Sequence, residues 1–384
     1  MSKVDENQLI ITRAKGAVIS RDFVTAIRLY KQLLAEDPSN IEYLKELGLV
    51  FIKSGDDEKA IPYYQQIITF HPHDVDAMIS LGGIYRRLKR YEDSINILHR
   101  AIDEGGQSCN VNYNLGFTYK EMQNYDDAID SFNSVISENP SDVLAYNHLG
   151  VIYLEKKDFQ KSITSFRRGL QIDQNHPILN YNLARCYTEA KMYADAIRCF
   201  ENALKTRPGW IEAINDFSKL LVSCQRSKEA SDLVSHSIRL YPNDTKLLCL
   251  LGNIYLEQYD YDSAIQAFKK AKQVNNEDVS VLSDLAKALE ANDNPSEALE
   301  NVVNALSIEP ENLNIKKQYV QTLLSADEIE KAGINVKELY NEYNNDPVVL
   351  DLYGQYCICS GAESEIQNYF DKIALSDRKY NEHY

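Results

Sequence analysis

Residues 109–142 read CNVNYNLGFTYKEMQNYDDAIDSFNSVISENPSD, and the fold of the chain follows from them. Val111, Leu115, Thr118 and Tyr119 fall on one side of a helix, because residues three and four apart share a face. Ala128, Ile129, Phe132 and Val135 repeat that pattern further on. Gln123-Asn124 breaks the two apart, and Asn139-Pro140 ends the second, since proline disfavours helix in the residue before it. The spacing predicts a helical hairpin.

The hairpin recurs. Gly48, Gly82, Gly116 and Gly150 stand 34 residues apart, and Gly252 and Gly354 keep the phase. Leu47, Leu81, Leu115, Leu149, Leu251 and Tyr353 precede them, and Phe51, Tyr85, Tyr119, Tyr153, Tyr255 and Cys357 follow by three. Pro38, Pro72, Pro140, Pro208, Pro242 and Pro310 are in phase too. Counted from Asn7, position 20 of each unit holds Ala26, Ala60, Ser94, Ala128, Ser162, Ala196, Ala230, Ala264, Ala298 and Ala332. The register therefore predicts eleven units: 7–40, 41–74, 75–108, 109–142, 143–176, 177–210, 211–244, 245–278, 279–312, 313–346 and 347–380. Residues 1–6 form an N-terminal extension and 381–384 a tail. Glycine at position 8 and alanine at position 20 remove bulk where two helices cross, and an aromatic at position 24 (Tyr64, Phe132, Phe166, Phe200, Phe268) fills the space beside them.

Period and motif resemble the tetratricopeptide repeat, whose Leu-Gly-Tyr-Ala-Phe-Ala-Pro signature is matched by Phe200 with Ala203 and Phe268 with Ala271. Arg13-Ala14 replaces Leu-Gly in unit one; Ser218, Ala286 and Val320 stand where glycine is usual; Ile366 takes the small position of unit eleven. Atypical ends are expected of an array whose outermost units face water. The resemblance implies an all-α, right-handed superhelical solenoid, with first helices lining a concave groove that binds peptides or protein segments.

Composition sets limits. Lys and Arg number 41 against 57 acids, a net charge of -16, which argues against a basic nucleic-acid binder or adhesion to anionic lipid. No apolar run approaches the roughly 20 residues of a membrane span, and the N-terminus lacks the pattern of a secretory signal. Seven cysteines without a Cys-x-x-Cys pair fit reduced thiols, so a cytoplasmic location is expected. Residues 273–384 hold 21 acids and 8 bases, which reads as a solubilising surface or, more sharply, a dock for a basic partner.

The motifs of catalysis are missing. There is no phosphate loop, no dinucleotide fingerprint and no nucleophile elbow. Asp56-Asp57-Glu58 and Asp126-Asp127 read as solvated charges at helix starts. His71-Pro72-His73 and Cys357-x-Cys359 lack a second ligand pair, so neither metal nor cofactor is expected. Cys186, Cys199 and Cys357 read as structural, and so do the tyrosines at position 11.

That leaves the groove. The resemblance assigns ligand contact to positions 2, 5, 9, 12 and 13 of the first helices: Arg86 and Arg87, then Tyr113, Phe117 and Lys120, then Asn147, Val151 and Leu154, then Tyr181, Arg185, Asn215 and Lys219. Rings would bury apolar partner groups and cations would pair with acids; alternatively the cations lie over neighbouring helices while the tyrosines stack between units. The carboxylate clamp of chaperone-binding relatives is absent, since Lys45 goes with Leu49 and Lys317 with Gln321. Asn114, His148, Asn182 and Asp216 form only an interrupted version of the asparagine ladder of O-linked N-acetylglucosamine transferase. The expectation is a non-enzymatic scaffold for another protein or peptide, with self-association through the terminal repeats as a possible addition and no nucleic acid or membrane partner. The alternative is the substrate-recruiting region of a larger enzyme such as a glycosyltransferase.

Overall fold

A computed structural model describes residues 3–105 and 109–361. Their regular structure is twenty-one α-helices. The first helices are α1 (Lys3–Ile19), α3 (Ile41–Ser54), α5 (Val75–Arg87), α7 (Cys109–Glu121), α9 (Val143–Glu155), α11 (Pro177–Glu189), α13 (Ile211–Ser223), α15 (Thr245–Glu257), α17 (Val279–Ala291), α19 (Leu313–Ser325) and α21 (Pro347–Ser360). The second helices are α2 (Phe23–Glu36), α4 (Asp57–Phe70), α6 (Tyr91–Asp103), α8 (Tyr125–Glu138), α10 (Phe159–Ile172), α12 (Tyr193–Thr206), α14 (Ser227–Leu240), α16 (Tyr261–Val274), α18 (Pro295–Ile308) and α20 (Ile329–Glu342). Helix α1 takes in Lys3–Glu6, which the register leaves outside as an extension. The position-20 site at Ile366 and the tail at 381–384 lie outside the described residues.

One turn is used again and again. After each first helix the chain bends through a left-handed residue: Gly55 and Gly361 with φ of 83° and 68°, and otherwise Arg21, Lys89, Gln123, Lys157, Lys191, Gln225, Tyr259, Asp293 and Asp327 with φ of 58–62°. The amide of the next residue then reaches back to the helix, as from Asn124 to the Tyr119 carbonyl at 2.9 Å and from Asp260 to Tyr255 at 2.9 Å. This bond closes the helix end as a glycine-type cap does, without the glycine. A side chain at positive φ crowds the backbone, so Gln123→Gly should stabilise residues 1–203 by about 0.5–1 kcal/mol despite glycine's larger unfolded-state entropy. Urea unfolding of the variant checks it; a lower midpoint would remove the strain argument.

Small and large residues interlock inside each hairpin. All ten residues at position 20, from Ala26 to Ala332, have no exposed surface. Where serine replaces alanine, its hydroxyl donates to the carbonyl of the facing glycine: Ser94 to Gly82 at 2.9 Å and Ser162 to Gly150 at 2.7 Å. A Cβ added at Gly116 would come within 2.8 Å of the Phe132 ring, and one at Gly150 within 2.5 Å of Phe166. Where position 8 does carry a Cβ, position 24 usually shrinks: Ser218 goes with Val234, Ala286 with Val302 and Val320 with Val336. Each of these valines is fully buried. Ala184 with Phe200 shows that a single methyl is tolerated beside a ring.

The chain divides into two compact units, residues 1–203 and 204–384. In the first, consecutive helices pack in sequence order through α11, and the first helices α5 with α7 and α9 with α11 also touch. In the second, first helices α13, α15, α17, α19 and α21 each touch the next in line. Each unit is thus a solenoid of stacked helix pairs, and the candidate ligand contacts lie on its first helices.

Candidate functional site

In residues 1–203 the expected ligand contacts are largely tied to their own chain. Arg86 on α5 pairs through Nη1 with Glu121 of α7, and its guanidinium lies 5.5 Å from the Phe117 ring centre. Its Nε is buried without an acceptor. Lys120 Nζ pairs with Glu155 of α9 at 3.0 Å. So position 12 of one repeat reaches position 13 of the next. Exposed pairs of this kind contribute about 0–1 kcal/mol, and their main effect is to orient the side chains. Arg87 points elsewhere: both its Nε and Nη2 donate to Asp57 at 2.7 Å, bracing α5 against the start of α4. Asp57, read from sequence as a solvated charge, is therefore a bridge between repeats.

Tyr113 and Phe117 belong to an aromatic cluster. The ring of Phe132 meets both edge-on, with centres 5.8 and 5.6 Å away. His148 stacks on Phe132 at 5.1 Å and meets Phe117 edge-on at 4.8 Å. The Tyr113 hydroxyl donates to Asp142, which caps α9 by accepting from the Ala145 amide at 2.9 Å. Burial and that carboxylate together hold the Tyr113 hydroxyl above its usual pKa. Lys45 and Lys317 occupy the same repeat position and pair with Asp74 at 2.8 Å and Asp346 at 2.6 Å. Position 5 thus braces the cap of the next first helix. Burial depresses the His148 pKa to about 4, with Lys120 adding to the effect and Asp142 opposing it. Its imidazole is neutral at pH 7.

Two expected contacts are not on the surface. Asn147 and Leu154 are only 8% and 7% exposed. Asn147 turns inward to accept a 2.9 Å hydrogen bond from Asn182 across α9 and α11, a use for an amide that helical position alone does not reveal. Leu154 is apolar and follows the core. Val151 is half-buried, and so is Tyr181, which meets Phe200 edge-on at 6.1 Å. Arg185 is exposed, with its guanidinium 5.8 Å from the Tyr181 ring centre. The asparagine ladder is spent internally as well: Asn114 donates to the Asn110 carbonyl at 2.9 Å, and Asn182 serves Asn147.

In the second unit a cleft of about 1080 Å³ lies between α13 and α15. Asn215 and Lys219 line it, as do Glu212, Val222, Lys246, Cys249, Leu250, Asn253, Ile254, Leu256 and Glu257. Ser218 also lines it, with a fully buried hydroxyl that has no hydrogen-bond partner. Burial pushes the Cys249 thiol up to about 12, so it acts as an apolar wall group. The sequence reading stops at Lys219. Carrying the same positions 2, 5, 9 and 12 one repeat further would have named Lys246, Cys249, Asn253 and Leu256.

Among the described residues no three His, Cys, Asp or Glu side chains gather as a metal site. His73 pairs with Glu104 instead. No helix among them is long and apolar enough to cross a membrane.

Comparison with known proteins agrees with this geometry. Tetratricopeptide-repeat profiles match residues 11–75 and 113–177, residues 153–209, residues 245–278 and residues 77–108, together more than half of the chain. No curated protein matches the sequence. Among solved structures, MamA is 27% identical with a TM-score of 0.39 over 42% of this chain and 94% of its own. A tetratricopeptide-repeat protein from Parabacteroides merdae is 16% identical with a TM-score of 0.46 over 65% of this chain and 99% of its own. Yeast Tom70 is 13% identical with a TM-score of 0.41 over 98% of this chain and all of its own. The assignment stands on the profiles and on the hairpin register, and by both the chain belongs to the tetratricopeptide-repeat family, whose repeats are modules of protein interaction.

Proposed function

We propose that the chain is a non-enzymatic cytoplasmic scaffold, repeating over residues 7–380, whose first-helix face holds an extended or helical segment of another protein. The observation that carries this reading is the state of that face between α9 and α11. Val151 and Tyr181 are half-buried and Arg185 is exposed over the Tyr181 ring. Arg and Tyr are residue types that anchor interfaces, Tyr because a rigid ring offers large contact area at low entropy cost and Arg because its planar guanidinium bonds and stacks at once. Arg86 and Lys120 contribute by steering, since their intramolecular pairs are weak enough to exchange for a partner's acids.

The test pans random dodecapeptides displayed on phage against the full chain. Selected peptides should bind saturably, and binding should drop at least about tenfold in Val151→Asp/Arg185→Glu while circular dichroism is unchanged. Reversing Arg86 or Lys120 instead would set like charges against Glu121 or Glu155 and confuse binding with stability. Failure to select any saturable binder would sink the scaffold reading.

A further inference from the structure

The cleft between α13 and α15 differs from the ion-paired face of residues 1–203. Lys219, Lys246, Glu212 and Glu257 line it, and none of them forms an ion pair among the described residues. Beneath them lies the Ser218 hydroxyl, fully buried and unpartnered. Buried hydroxyls are normally bonded, so one left unpaired beneath a cleft points to an incoming group. Ser218 stands at repeat position 8, which is glycine in six other repeats, Gly150 and Gly252 among them, so the hydroxyl is a departure of this repeat.

We propose that this cleft seats an extended segment of a partner protein and inserts one tyrosine of it between α13 and α15, with the phenol hydroxyl bonded to Ser218. The inference rests on the scaffold reading and names its anchor. Val222, Leu250 and Ile254 offer an apolar wall for the ring. A phenol both donates and accepts, which suits the serine hydroxyl, and its polar tip leads an apolar body into the cleft. Asn215 and Asn253, one from each helix, present carboxamides able to pair with the segment's main chain. About 1080 Å³ exceeds what a single metabolite needs and suits several residues. The rim carries two lysines and two glutamates. It therefore complements a segment with both charges flanking the tyrosine, and disfavours a polyanion. A phosphorylated tyrosine would place its charge at the base of the cleft, away from the exposed lysines, and is excluded.

The experiment uses the full chain and a peptide array of nonapeptides with randomised flanks around a central Tyr, Phe or Ala. Tyrosine spots should bind best, and the strongest, remade with Tyr→Phe, should weaken about tenfold by fluorescence polarisation. Ser218→Ala should erase that Tyr-over-Phe preference while keeping the helical dichroism, and Leu250→Arg should abolish binding of both. Equal binding of Tyr and Phe peptides, a preference that survives Ser218→Ala, binding that survives Leu250→Arg, or no binding at all would each overturn the assignment. Phage-selected peptides that ignore Leu250→Arg but lose affinity in Val151→Asp/Arg185→Glu would leave the scaffold standing and remove this anchor alone.

Discussion

Gly150→Val destabilises residues 1–203 by about 3 kcal/mol, and Phe166→Val in the same chain restores most of the loss. The reason is steric. A Cβ at residue 150 would stand 2.5 Å from the Phe166 ring, and atoms as far out as 2.7 Å belong to that same ring. Phe166 is fully buried and cannot swing away. Valine adds two methyl groups beyond that Cβ, so α9 must be pushed off α10. Phe166→Val alone leaves a void and costs about 2–4 kcal/mol by lost contacts. The double variant recreates the Val320 with Val336 pair that α19 and α20 accept, both fully buried. Urea unfolding of the two singles and the double gives the coupling energy directly. Because repeats contact only their neighbours, the damage should show as an earlier partial transition rather than a uniform shift. A double variant no more stable than the worse single would break the size-compensation argument.

The same pairs explain what the sequence made legible. The 34-residue register of Gly116, Ala128 and Phe132 reflects a close approach repeated in five hairpins, from Gly48 with Tyr64 to Gly252 with Phe268, so a steric rule is repeated in residue identity. Size constraints leave a strong imprint because only one or two residue types meet them. The left-handed turn left none: Gln123, Lys157 and Tyr259 share its geometry and nothing in their chemistry. There the hydrogen bond back to the helix enforces the conformation, and the side chain points out to water.

The candidate face was legible in position but not in availability. Helical spacing places Arg87, Tyr113 and Asn147 on first helices, yet it cannot say that Asp57 on α4, Asp142 at the cap of α9 and Asn182 on α11 capture them. Those partners lie 29–35 residues away in the chain, in the repeat before, in the repeat after or at the junction with it, and the pairing depends on how repeats stack. Ser218 is the reverse case. Its departure from glycine was visible, but the meaning of that departure, a buried hydroxyl without a partner beneath a cleft, depends on how α13 and α15 stack.

His148 should make residues 1–203 sensitive to mild acid, with a loss of roughly 3 kcal/mol between pH 6.5 and 4. The imidazole sits among Tyr113, Phe117 and Phe132, and burial depresses its pKa to about 4. In the unfolded chain it returns to about 6.5. The folded state therefore binds its proton less tightly. Above pH 6.5 both states are neutral and the cluster's full stability is present. As the pH falls toward 4 the unfolded chain takes up a proton that the folded one refuses, and stability drains away. Below about 4 both states are protonated and this contribution levels off. Asp74, Asp126 and Asp158, whose carboxyls lie below their ordinary range, lose stability only further down in pH, so the windows separate. His148→Phe keeps a ring on Phe132 and should abolish the loss above pH 4.5 while leaving the lower one in place. Chemical denaturation of both chains at pH 7, 5.5 and 4.5 measures the difference. An NMR titration of the His148 ring in the folded chain supplies the direct value. A ring titrating near 6.5 would mean the imidazole is solvated, and the aromatic cluster would then be open to water at its centre.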